Sequence, residues 1–146
     1  DGAIEALDAP TDSGEPLIAD GSIDVVLSNC VLNLVNPSAR DRLLANIRRV
    51  LAPGGRVAIS DIVCDQVVPL RLQQDPDLWS GCISGAWQEQ AFLEAFEALG
   101  FEQVRYADRS EQPWRVVEGI EFRAVTLVGA LPSDVLPAEH QRSSCC

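Results

Sequence analysis

The sequence predicts an α/β fold on a mostly parallel sheet, with its last two strands antiparallel. Three observations carry this reading. Strand-like runs and helix-like stripes follow in the order strand, helix, strand, helix, strand, strand, and the first part of that order is the pattern of βαβ units. The early strand-like runs are apolar and rich in β-branched residues, as buried parallel strands are. The last two are joined without a clear helical segment, which favours antiparallel pairing.

The elements are read in order. Residues 8–22 are rich in Asp, Pro, Gly and Ser and read as a loop. Ile23-Asp24-Val25-Val26-Leu27-Ser28 is the first strand, ending in polar Ser28-Asn29. Asn36-Pro37-Ser38 breaks the chain, and Ser38 with Asp41 three residues on has the spacing of a capping box. Leu43, Leu44, Ile47, Val50 and Leu51 then fall on one helical stripe. Arg48 and Arg49 lie in the last turn, where cations suit the helix dipole, and Pro53-Gly54-Gly55 is expected to end the helix.

Arg56–Val63 is the second strand, and a polar, irregular stretch follows from Cys64 to about Gln88. Phe92, Ala95, Phe96 and Leu99 form a second helical stripe closed by Gly100. Phe101–Tyr106 reads as a strand, residues 113–119 as a connection and Ile120–Val128 as the final strand. Residues 1–131 are expected to form one domain, and the Pro-, Ser- and Cys-rich residues 132–146 a mobile tail.

Composition narrows the function. The 146 residues are 47% hydrophobic, enough for the core of a single domain. The net charge is −11, with no Lys and 22 acidic residues, which argues against partners that are nucleic acids or anionic membrane surfaces. No apolar run is long enough to span a bilayer and no signal peptide is visible, so the expected compartment is the cytoplasm. There the five cysteines are expected to be reduced, and their spacing matches neither a disulfide framework nor a structural zinc site. The chain has no Met, even at position 1, and is read as a fragment of something longer.

Four phrases carry a family resemblance. Asp20-Gly21-Ser22-Ile23-Asp24-Val25-Val26 and Arg49-Val50-Leu51-Ala52-Pro53-Gly54-Gly55 resemble segments widespread in class I methyltransferases. Ser28-Asn29-Cys30-Val31-Leu32-Asn33-Leu34 and Asp77-Leu78-Trp79-Ser80-Gly81-Cys82-Ile83-Ser84-Gly85-Ala86 are more selective and resemble arsenite methyltransferases, each with a cysteine at the family's place. The resemblance runs from about Ile4 to Val128. It implies the C-terminal half of a Rossmann-like class I methyltransferase domain, about strands 4 to 7 of a seven-stranded sheet with an antiparallel last strand. It also implies transfer of a methyl group from S-adenosylmethionine to thiolate-bound trivalent arsenic, with a thiol reductant as co-substrate.

In that reading Cys30 and Cys82 are the arsenic ligands, because trivalent arsenic is soft and thiolates match it. The reaction needs the two reactants aligned and the cysteines poised as thiolates. Ile4 and Glu5 match the family's segment near the adenine, and Ser28, Asn29 and Cys30 the segment beside the methionine part. Asn33 and Trp79 are candidates to shape the pocket. Set against this, a free cysteine is often just a small buried hydrophobe, the reading preferred for Cys64. Cys145-Cys146 is balanced between passing arsenic inward and having no role, and His140 has no partner in sequence.

The family's Gly-rich cofactor loop and ribose-binding acidic residue are not found in the sequence, so the chain alone is expected to be inactive and to bind the cofactor poorly. Two alternatives stand beside the main reading. One is a small-molecule C-, N- or O-methyltransferase in which Cys30 and Cys82 are dispensable. The other is a catalytically inactive half-domain that binds arsenic through thiols. The expected partners are arsenite or thiol-bound arsenic, and either the missing N-terminal half or a second copy paired along the exposed first strand.

Overall fold

The computed structural model describes residues 15–133. Its first strand, β1 (Ile23–Asn29), leads through two short 3-10 turns, Leu32–Leu34 and Pro37–Ala39, into α1 (Arg40–Val50). Then come β2 (Leu51–Cys64), α2 (Leu70–Gln73), α3 (Pro76–Ser80), β3 (Trp87–Gln88) and α4 (Glu89–Ala98). The chain continues through β4 (Glu102–Arg109), β5 (Arg115–Val117) and β6 (Ile120–Ala130). These strands form one sheet in the order β1-β2-β6-β4, with β3 beside β2 and β5 beside β6.

The pairing follows the sequence pattern. β1 and β2 are parallel across the α1 crossover, and β6 is antiparallel to both β2 and β4. The alternation along β2 places Val57, Ile59, Asp61 and Val63 on a buried face. Leu43, Leu44 and Ile47 of α1 join Phe92 and Phe96 of α4 and the β2 residues Val57, Ile59 and Val63 in one core. A second cluster of Cys64, Val68, Leu72, Leu78, Ile83 and Phe122 fills the space where α2 and α3 meet the far end of β2. The opposite face, bearing Val25, Ala58, Arg105 and Val128, lines an open groove of about 400 Å³.

The structure corrects several local expectations. The chain break is capped by Asn36, whose side chain accepts from the Ser38 N–H at 3.0 Å, and α1 has no side-chain cap of its own. Helix α1 ends at Val50, so Leu51 and Pro53-Gly54-Gly55 lie inside β2. The cause is a distant partner: Leu131 N–H donates to Gly55 at 2.8 Å and Gly54 N–H to Pro132 at 3.1 Å, which keeps this stretch extended. The irregular stretch holds α2 and α3, and the connection holds β5, which forms a hairpin with β6. Gly100, at φ +84°, closes α4 as the sequence suggested.

Candidate functional site

The site is built at the carboxyl end of β1, the position where open α/β sheets bind ligands. Cys30 remains in the parallel ladder through its N–H, which donates to the Ser60 carbonyl at 2.8 Å. Its backbone then turns into the left-handed region at φ 54°, ending the strand and starting the Leu32–Leu34 turn. Cys82 follows α3 and has the same unusual conformation, φ 59°. It occupies the place where a helix commonly ends in a left-handed residue, usually Gly. The next two N–H groups, of Ile83 and Ser84, both return to the Leu78 carbonyl, at 3.0 and 3.3 Å.

These two turns meet. The Cys82 Sγ lies 4.0 Å from the Cys30 carbonyl oxygen, although 52 residues separate them. Cys30 is exposed and Cys82 half-buried, so both can be reached from solvent. Ser28, half-buried, and Asn29, exposed, line a shallow groove of about 380 Å³ with Leu27, Ala58 and Ser60.

A buried polar cluster holds the turns together. Asp61, 3% exposed, accepts the Asn33 N–H at 3.2 Å and the Ile62 N–H at 2.9 Å. The Asn33 side chain, fully buried, donates to the Ile62 carbonyl at 2.7 Å and the Cys82 carbonyl at 3.3 Å. Arg40 donates to the Gly85 carbonyl and lies over the Trp87 ring, 4.8 Å from its centroid. Gly85 has no alternative, because a Cβ there would stand 1.8 Å from the Asn33 carbonyl oxygen.

The electrostatics run against thiolates at rest. Burial, then the Asp61 carboxylate, pushes the Cys30 thiol above its ordinary range. Burial, Asp61 and Cys30 do the same to Cys82. Both shifts favour the neutral thiol over the thiolate. Burial also raises Asp61, against which the Ile62, Asn33 and Leu32 N–H groups and Arg40 favour its charged form. Cys64 is fully buried, its Sγ 3.2 Å from the Trp87 carbonyl, and burial leads the effects that push its thiol up to about 12. It is a packing residue, as the sequence reading preferred.

Cys30, Ser28, Asn29, Asn33 and Cys82 thus gather at one end of β1. Ile4, Glu5, His140, Cys145, Cys146 and the Trp79 side chain lie outside the described residues, as does the expected tail beyond Ser133. Among the described residues, no group of three or more His, Cys, Asp or Glu could hold a metal ion. Sequence reasoning missed Asp61, Arg40 and Gly85. Asp61 had a signal, as the lone charge inside the apolar run Val57–Val63.

The family model "Methyltransferase domain" matches residues 6–100. An arsenite methyltransferase of Halobacterium salinarum is 43% identical over 94 residues, 64% of this chain and 24% of that protein. One from Aquipseudomonas alcaligenes is 36% identical over 101 residues, 69% of this chain and 28% of that protein. The chain therefore spans about a quarter of these curated relatives. The crystal structure of an arsenic(III) S-adenosylmethionine methyltransferase from Chlamydomonas reinhardtii superposes with TM-score 0.73 at 29% identity, covering 93% of this chain and 45% of that one. The fold is the Rossmann-like class I methyltransferase fold in part, its last strand antiparallel, and the chain belongs to the methyltransferase-domain family.

Proposed function

We propose that this chain is the arsenic-holding part of an S-adenosylmethionine-dependent methyltransferase that methylates trivalent arsenic bound by Cys30 and Cys82. The observation that carries this reading is the meeting of the two cysteine turns, with Cys82 Sγ 4.0 Å from the Cys30 carbonyl. Likeness to arsenite methyltransferases over most of the chain supports it.

The neutral thiols suit the loading step. Each gives its proton to a hydroxyl of arsenous acid; an As–S bond forms, an As–O bond breaks, and water leaves. Arsenic stays trivalent and keeps its lone pair, so no general base is required. S-adenosylmethionine, when bound, supplies an electrophilic methyl group on a sulfonium. Ser28 and Asn29 fit one flank of that cofactor, since both present polar groups on the shallow groove beside Cys30. Cys30 and Cys82 hold arsenic close to that groove, where proximity and alignment supply the rate gain. Methylation takes the lone pair and leaves arsenic pentavalent, and an external thiol reductant returns it to the trivalent state. Such chemistry suits a reducing compartment, the cytoplasm.

Because the chain spans a quarter of its curated relatives, we expect the 146 residues alone to be inactive. Among the described residues β1 has a strand neighbour on one side only, and Leu27 on it is 74% exposed. That edge is the proposed contact with the rest of the methyltransferase domain or, in its absence, with a second copy. No helix among the described residues is long and apolar enough to cross a membrane. The deciding experiment follows methylated arsenic formed by the full-length enzyme. Cys30→Ser and Cys82→Ser are each expected to abolish it, and undiminished activity in either would favour a small-molecule methyltransferase instead.

A further inference from the structure

Asn33 joins the two cysteine turns from both sides. Its side-chain amide donates to the Cys82 carbonyl and to Ile62 on β2, while its own N–H is held by Asp61. Its carbonyl sits where a Cβ of Gly85 would fall, so the residues after Cys82 rest on the Asn33 backbone itself. Arg40 closes the far side through the Gly85 carbonyl. Cys30 and Cys82 both have left-handed backbone conformations, and between their turns the Cys82 Sγ makes one long contact, 4.0 Å, with the Cys30 carbonyl. The shorter connection runs through Asn33, three residues after Cys30, at 3.3 Å to the Cys82 carbonyl.

We infer that Asn33 is a positioning residue for the thiol pair: its amide clips the Cys82 turn over Cys30, so that a trivalent arsenical meets both sulfurs at once. This rests on the proposed arsenic reading of the two cysteines. Capture by two linked thiols is an intramolecular second step, and linkage of this kind strengthens binding about 10²–10⁴-fold over one site alone. A clip that sets the spacing governs that factor and leaves each thiol's separate reactivity in place.

The test uses the 146-residue chain with Cys145→Ser and Cys146→Ser, so that the vicinal pair does not compete. Phenylarsine oxide, which takes two thiols, is titrated against it. N-ethylmaleimide, which takes one, reports Cys30 and Cys82 separately by peptide mass spectrometry. Asn33→Ala is expected to weaken the arsenical at least tenfold while each maleimide rate stays within about twofold of the parent. Asn33→Ser, which keeps one short donor, is expected to fall between the two. Arsenical binding as tight in a folded Asn33→Ala as in the parent would overturn the inference. So would failure of both variants to give the parent far-UV spectrum, since Asn33 would then serve stability. If the parent's binding ignores Cys30→Ser and Cys82→Ser, the arsenic reading itself fails and the inference with it, a result separable from an Asn33 effect.

Discussion

Cys30 and Cys82 share a backbone conformation that few non-glycine residues adopt, φ 54° and 59°, and the Sγ of the second lies 4.0 Å from the carbonyl of the first. Burial first, and then the Asp61 carboxylate, raises both thiols. The arrangement sets two cysteine turns together beside a buried carboxylate, in surroundings that favour the neutral thiol over the thiolate.

That charge pattern sets an order of reactivity. A raised thiol pKa means that alkylation by iodoacetamide rises with pH through a midpoint above about 8.5, the ordinary cysteine value. Asp61→Asn removes the negative charge and keeps one of the two oxygens that accept the Asn33 and Ile62 N–H groups. The midpoints of Cys30 and Cys82 should then fall, and their rates at pH 8 should rise by about threefold for each half unit. Cys64, buried and pushed up to about 12, should stay unmodified in the folded chain. Rates followed residue by residue by mass spectrometry check this, and an Asp61→Asn chain no faster than the parent would contradict it.

The parts that were readable in the sequence are those set by local periodicity. The Ile23–Ser28 run, the α1 stripe and the Phe92–Leu99 stripe are each legible within a few residues, and each element is present, although the expected burial of the first is not seen: its strand holds no buried residue. Pro53-Gly54-Gly55 reads as a stop because proline and glycine weaken helices locally. Its actual state is strand, imposed by Leu131 and Pro132 some 75 residues away in the chain. Ser38 matched the capping spacing, but Asn36, two residues earlier, does the capping at the 3-10 turn. For the site, each cysteine stood out through its neighbours, while their meeting did not, since it depends on the Asn33 amide reaching the Cys82 carbonyl and on Gly85 packing against the Asn33 backbone.

Left-handed cysteines imply a stability cost accepted at this site. For an L-residue with a Cβ the left-handed region costs about 1–2 kcal/mol, a penalty glycine escapes. Cys82→Gly should therefore be more stable than Cys82→Ala by about 1 kcal/mol, despite glycine's greater freedom in the unfolded chain. Cys30→Gly against Cys30→Ala should show the same sign. Urea unfolding of the four variants measures both differences, and an alanine variant more stable than its glycine partner would show that the turn is not strained.

The β1 edge makes the last prediction. Val25 is 38% and Leu27 74% exposed on a strand whose outer backbone groups have no strand neighbour among the described residues. A flat apolar edge of that kind templates pairing with another chain, and a lysine on it is the common natural block. Sedimentation velocity over a concentration series should show the 146-residue chain self-associating. Leu27→Lys should shift it toward the monomer without altering its far-UV spectrum, because that side chain points away from the core formed by α1, α4 and β2. A parent chain that stays monomeric throughout the series would mean that this edge is covered by other means, and the proposed pairing along β1 would fall.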